Sequence, residues 1–337
     1  MKSISKGLLF LLIVASIILL SDLSSRKNIK NKDTVNIAVL KLASRPVLDQ
    51  AEKGFIDYLS EQGFDERKGI HCDLYCPEGD MPTAHTIATL ILNKQYDYVH
   101  TISTPALQTM ASANAKGEVI HLFSTVTDPF TAGVGIKGSE PGQRPEWLTG
   151  IGTFQPVESA IELAKQINPG LKRIGTVWCA SEVCSEMCVL KARKYCKDHD
   201  MELVEMVIDN SNMVVEATNA LLMRNIDAIW IGGDNVVELA IDQLIAAAKK
   251  QKIPIFTNTP NHANKGALFG IGADYYNVGR EAGKMMAEIL NGADPASFRI
   301  DNVVPEELVV NPAVADWAGE EWQLPGAVVG MAKIVVK

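Results

Sequence analysis

The chain has 337 residues, of which 47% are hydrophobic and 21% charged, enough to bury a sizeable core and to form two domains of ordinary size. Its formal net charge of −8 argues against a nucleic-acid partner, which would need a basic face.

In chain order, the first feature is Lys2 and Lys6 followed by the uncharged run GLLFLLIVASIILL, residues 7–20. A basic flank before a short apolar run is the form of a secretory signal. The run is short against the ~20 apolar residues of a spanning helix. The following SDLSSRKNIK offers no small-x-small cleavage site and no cysteine for lipid attachment. Residues 1–25 are therefore expected to be a signal peptide or N-terminal anchor, with the rest of the chain extracytoplasmic (periplasmic).

After a polar linker, VNIAVL (35–40) reads as a continuous apolar strand. Leu48, Ala51, Phe55 and Leu59 then recur at steps of three and four, a helical face that Gly63 is placed to end. HCDLYC, a helix around AHTIATLIL, YDYVHTI, a helix from Pro105 and VIHLFSTV complete a βαβαβαβ run. Apolar strands separated by helices imply a parallel sheet covered on both faces.

A Gly- and Pro-rich passage, residues 133–147, separates this half from a second with the same alternation. LTGIG is followed by a helix over 156–167, the strand RIGTVWC, a helix through Lys197, ELVEMVI, a helix through Met223, and DAIWIGG. A helix over 236–249 and IPIFTN close that half. GALFGIGADYYNVGREAGKMMAEIL and DNVVPEELVV add a strand, a helix and a further strand. The expected fold is α/β, with two doubly wound parallel-sheet lobes joined by a multi-strand hinge. The N-terminal lobe is expected over 34–147 and 266–300, and the C-terminal lobe over 148–265 and 301–337. Hinged lobes of this kind close around ligands.

In open parallel sheets, ligands bind beyond the carboxyl ends of the strands, so the loops there carry the candidates. ISTPAL places Thr104 as an expected N-cap with Pro105 at the first helical position. Ser103 and Thr104 add hydroxyls to a helix start suited to a carboxylate. The adjacent strand ends in FSTVTDPFTAG, bringing Ser124, Thr125, Thr127 and Asp128. Asp128 offers a carboxylate to an ammonium group, although an Asp-Pro turn needs no ligand to explain it. The first loop offers Ser44 and Arg45. In the second half the tips are WCASEVCSE, GGDNVVE with Asp234 and Asn235, and TNTPNHAN. Asp234 and Asn235 serve equally well as helix caps.

Catalytic motifs are absent: there is no Gly-x-Ser-x-Gly, Walker loop or H-E-x-x-H, and no G-x-G-x-x-G follows the first strand. The six histidines show no ligand spacing. Of the six cysteines, Cys184 and Cys188 lie four apart on a helix, a spacing open to buried free thiols, disulfides or a metal. The first of these is the expectation, and the chain is read as a non-enzyme without cofactor or metal.

These elements resemble the ABC transporter substrate-binding proteins of the tryptophan/tyrosine type, which adopt the type I periplasmic binding-protein fold. The resemblance rests on RPVLDQAEKGFIDYL, ISTPALQ, STVTDPFTAG, TGIGTFQPVESAIEL, KRIGTVW, IPIFTN and GIGADYYNVGREAGKMMAEIL, in order over residues 35–312. It implies a receptor that carries a small carboxylate, an amino acid such as an aromatic one, to a membrane permease. It also implies ligand-binding roles for Ser103, Thr104, Ser124, Thr125 and Asp128 in one lobe, Asp234 and Asn235 in the other, and Asp274 near the hinge. The departure is CASEVCSE, where the family commonly carries an Asn-rich loop. The expected protein is a monomer; a sensory receptor of the same fold is the alternative.

Overall fold

The computed structural model describes residues 34–336, so the apolar segment expected to be a signal peptide or anchor (1–25) lies outside the described residues. The first half runs β1 (Val35–Lys41), α1 (Pro46–Glu61), β2 (Ile70–Tyr75), α2 (Met81–Asn93), β3 (Tyr98–Ile102), α3 (Thr104–Ala113), β4 (Ile120–Val126) and β5 (Leu148–Gly152). Its five strands form a wholly parallel sheet in the order β2-β1-β3-β4-β5. Ile37, Ala38, Val39 and Leu40 are all fully buried, with alternate residues packed into separate cores on the two faces. That two-sided burial is why β1 reads as an unbroken apolar run rather than an alternating one.

The second half runs α4 (Val157–Ile167), β6 (Arg173–Cys179), α5 (Val183–Asp198), β7 (Glu202–Ile208), α6 (Val214–Leu222) and β8 (Ala228–Ile231). It continues through α7 (Asn235–Glu238), α8 (Ile241–Lys250), β9 (Ile255–Thr257), α9 (His262–Lys265), β10 (Phe269–Ala273), α10 (Tyr275–Leu290) and β11 (Glu306–Val310). Last come α11 (Ala315–Ala318), α12 (Gly326–Met331) and β12 (Ile334–Val335). Seven strands make the second sheet, β12-β11-β10-β9-β8-β6-β7, in which β10 and β11 alone pair antiparallel. The helix expected over 236–249 breaks at Leu239–Ala240, leaving the short α7 beside the gap between the lobes.

The lobe limits differ from those read in the sequence at two places. β5, expected to open the second lobe, pairs with β4 and is buried along its whole length in the first sheet. β10, expected in the first lobe, lies between β9 and β11 in the second sheet. The helix after it, α10, returns to the first lobe and packs on α1, so the chain changes lobes at Asp274. The close approach is made by glycines. A Cβ on Gly279 would sit 2.0 Å from the Ala51 carbonyl oxygen, and one on Gly54 would sit 2.0 Å from that of Tyr276.

The chain thus crosses between lobes after Gly152, at Asp274 and before β11. The crossings are bonded to one another: Gly152 N–H donates to Asp301 O, Val303 N–H to Gly152 O, and Asp274 N–H to Pro305 O, at 2.7–2.9 Å. Phe154 N–H adds a bond to Asn302 Oδ1 at 2.5 Å. Three adjacent strands of chain hold the lobes together while leaving the strand ends facing each other across a gap.

Candidate functional site

The gap is lined by the strand-end loops of both lobes. It holds a cavity of about 340 Å³ between Leu42, Arg45, Met81, Thr104, Pro105 and Gln108 on one side and Ser181, Glu182, Cys184, Asn235, Val236 and Leu239 on the other. A smaller space of about 50 Å³ adjoins it, sharing Thr104, Cys184 and Asn235 and reaching Ser103, Thr125, Gln155, Asp234, Glu238 and Tyr275. The larger volume falls in the range of small-molecule sites, ~300–1,000 Å³.

On the first-lobe wall, Ser103 rather than Thr104 caps α3. Ser103 stands outside the helix at φ 108° and its Oγ accepts from Ala106 N–H at 3.3 Å. Thr104 is therefore the first helical residue and Pro105 the second. Pro105 carries no N–H and Ala106 N–H is taken, so the donors left at this helix start are the Thr104 N–H and hydroxyl. Thr125 is placed by a different device. The β4–β5 register slips between Phe123 and Val126, and Thr125 takes φ 57°, a left-handed conformation rare for a β-branched residue. Its Oγ1 is buried with no partner among the described residues, although it lines the smaller space. A buried hydroxyl in that state costs free energy until something bonds it. Arg45, at the mouth of α1, is the cation of this wall; Nη1 donates to Ser44 O at 2.7 Å while Nε has no partner.

The second-lobe wall is acidic. Asp234 is buried and fully engaged: Oδ1 accepts from the N–H groups of Val236 and Val237, and Oδ2 from Cys179 N–H at 2.7 Å and Ser185 Oγ at 2.6 Å. Burial raises its carboxyl above the usual range even so. Glu182 accepts through Oε2 from Asn235 N–H at 2.8 Å, Asn235 Nδ2 at 3.1 Å and the Cys184 thiol at 3.4 Å. Burial, and then the neighbouring Asp234 charge, push the Glu182 carboxyl up to about 7. Glu238 is tied to His262 Nε2 at 2.6 Å. At the hinge side, Gln155 Nε2 donates to Tyr275 Oη at 3.1 Å, joining two crossings at the floor of the space. Burial lifts the Tyr275 hydroxyl to about 12, so it stays protonated.

Of the residues proposed from sequence, Arg45, Ser103, Thr104, Thr125, Thr127, Asp234 and Asn235 are brought together in this gap. Four are not. Ser124 is buried beneath the wall, bonded to His100 Nε2 at 2.9 Å. Asp128 accepts from Phe130 N–H as a turn residue, and Ser44 bonds the Asp49 carboxylate at the exposed end of β1. Asp274 caps α10 and pairs with Lys333 Nζ at 2.8 Å. Glu182, Gln108, Gln155, Glu238 and Tyr275 line the gap without being sequence candidates; the signals for Glu182 and Glu238 are the positions of CASEVCSE directly after β6 and of GGDNVVE directly after β8. The six cysteines are free thiols, four of them buried. Among the described residues no group of three or more His, Cys, Asp or Glu side chains is arranged to hold a metal, and no helix is long and apolar enough to cross a membrane.

Two α/β lobes, three linked crossings and a gap lined from both sides define a bilobed ligand-binding protein. The profile of the ABC transporter substrate binding protein family matches residues 36–323, and the chain belongs to that family. It is 30% identical over 288 residues to a tyrosine-binding protein of Clostridioides difficile, covering 86% of this chain and 82% of that one. It superposes with a TM-score of 0.83 on a Streptococcus pneumonia ABC domain in complex with L-Trp, at 26% identity, covering 90% of this chain and all of that one. With a ligand-free, open substrate binding protein with adhesive properties from Clostridium difficile the TM-score is 0.69 at 28% identity, over 90% and 99% of the chains. The architecture is that of type I periplasmic binding proteins, and the family and fold are those of non-enzymatic binding proteins.

Proposed function

We propose that this protein is the extracytoplasmic solute receptor of an ABC importer, a monomer that takes an aromatic amino acid between its lobes and delivers it to a membrane permease. The observation that carries the reading is the division of the gap: hydroxyls, a helix start and Arg45 on one wall, carboxyls on the other. A free amino acid has one end suited to each. Its carboxylate would lie at Thr104, Thr125 and Arg45, where donors are unclaimed, and its ammonium group at the acidic wall. Leu42, Met81, Val236 and Leu239 supply apolar surface for a ring. The related tyrosine-binding protein and the L-Trp complex support an aromatic ligand. Two relatives of similar identity, one liganded and one open, also superpose on this chain to different extents, in keeping with lobes that move. A thermal-shift screen against the amino acids tests the reading. L-tyrosine or L-tryptophan at 100 times its dissociation constant should stabilise the protein by ~2.7 kcal/mol. No shift with any free amino acid would overturn it.

A further inference from the structure

Two carboxyls of the acidic wall, the buried Asp234 and the half-buried Glu182, differ in one respect that matters for the ligand. Both oxygens of Asp234 are saturated by four donors from the protein itself, so it fastens the head of α7 to β6 and α5. Glu182 has donors on Oε2, all of them neutral, and it lines the larger cavity. The titratable groups around it are Asp234 on the β8–α7 turn, Cys184 and Cys188 on α5, Glu238 on α7 with its partner His262, Tyr275 at the start of α10, and Arg45 across the gap. Of the residues lining the two spaces, Arg45 is the sole cation, and it belongs to the opposite lobe. A carboxyl enclosed with neutral donors beside a second carboxylate lacks the charge that would stabilise its ionised form.

Resting on the reading above, we propose that Glu182 is the residue that selects an ammonium group on the ligand, and that it gives up its own proton to solvent as that group arrives. The ammonium supplies the cation that the wall lacks, and no bond other than the carboxyl O–H is broken. Burial and the Asp234 charge hold the free carboxyl at about 7. Near neutral pH part of the unliganded protein therefore carries the proton, while the complex does not. The sign follows. Above this range Glu182 is already ionised and affinity is flat with pH. Below it, each pH unit weakens binding by up to about tenfold, because the proton must first be displaced. A protonated Glu182 donating a hydrogen bond to a neutral ligand would give the opposite slope.

The test is titration calorimetry with L-tyrosine and L-tryptophan at pH 6 and pH 8, in buffers of different ionisation enthalpy so that protons are counted. The expected result is release of about one proton per ligand at pH 6 and close to none at pH 8, with affinity roughly tenfold weaker at pH 6. The des-amino analogues, 3-(4-hydroxyphenyl)propionate and indole-3-propionate, should bind at least about tenfold more weakly than the amino acids at pH 8 and release no proton. Glu182→Gln, which keeps an acceptor for Asn235, should abolish proton release; the analogue measurements need no variant. Equal affinities at both pH values with no protons released, or equal binding of the des-amino analogues, would overturn the assignment to Glu182 and leave the receptor reading standing. No binding of either amino acid at pH 8, where Glu182 is ionised, would overturn the receptor reading and this inference with it.

Discussion

The two walls of the gap are built from the same kind of element, a strand end running into a helix, yet they carry opposite chemistry. The first-lobe wall presents Ser103, Thr104, Thr125 and Arg45 and no carboxylate; the second-lobe wall presents Glu182, Asp234 and Glu238 and no cation. Topology places loops at the strand ends but does not choose their charge. On the proposed reading, the difference means that a zwitterion would be recognised by the pair of lobes and not by either alone, each lobe holding one end.

The largest expected effect separates fastening from binding within the acidic wall. Asp234→Ala strips four donors of their partner in a buried site, and should cost on the order of 3 kcal/mol of stability, read by urea unfolding. A loss under about 1 kcal/mol accompanied by lost affinity would make Asp234 a ligand group and erase its contrast with Glu182. Next comes the attachment of α10 to the first lobe. Gly279→Ala places a methyl 2.0 Å from the Ala51 carbonyl oxygen, and the overpacking should lower stability by about 2 kcal/mol in thermal unfolding. A neutral substitution would mean that α10 does not lie closely on α1.

On the hydroxyl wall, Thr104→Ala should weaken amino acid binding by roughly tenfold, the value of one hydrogen bond to a charged group. Because Ser103 and not Thr104 caps α3, stability should change little. An unfolding shift as large as that of a lost cap, ~1 kcal/mol, would show that the cap has been misplaced. The smallest effect is expected from the thiols. Replacing Cys184 and Cys188 together by Ala should leave affinity within about threefold, since neither supplies charge and burial holds both thiols protonated. Chelator treatment should change nothing in the same assay. A loss of binding in either experiment would give the second wall a role for sulfur that its carboxyls do not explain.

Much of this molecule is legible in its sequence because strands buried on both faces are written as apolar runs, as in VNIAVL and DAIWIGG. Which sheet a strand joins is not written locally. β5 and β10 are both short and Gly-rich, and pairing partners far along the chain decide their lobes. The same limit governs the site. Ser124 and Thr125 are neighbours with the same functional group, but one bonds His100 in the interior while a register slip brings the other to the gap. Strand-end position selected both, and only backbone geometry separates them. Ser44 and Asp128 are candidates for the same reason and Asp274 through the family resemblance alone, and each is engaged by its own turn, helix or ion pair. Gln155 and Tyr275 come from two different crossings, 120 residues apart, and their meeting is a property of the hinge that no local pattern encodes.

The central claim is that the two walls bind opposite ends of one small molecule, and the carboxylate end can be probed without altering the protein. Calorimetric titration of L-tyrosine against tyramine, at pH 8 and under identical conditions, compares the amino acid with a ligand that keeps the ring and the ammonium group but has no anionic end. The account predicts that tyramine binds at least about tenfold more weakly, because Thr104, Thr125 and Arg45 lose their anion. Tyramine that binds as tightly as the amino acid would contradict it.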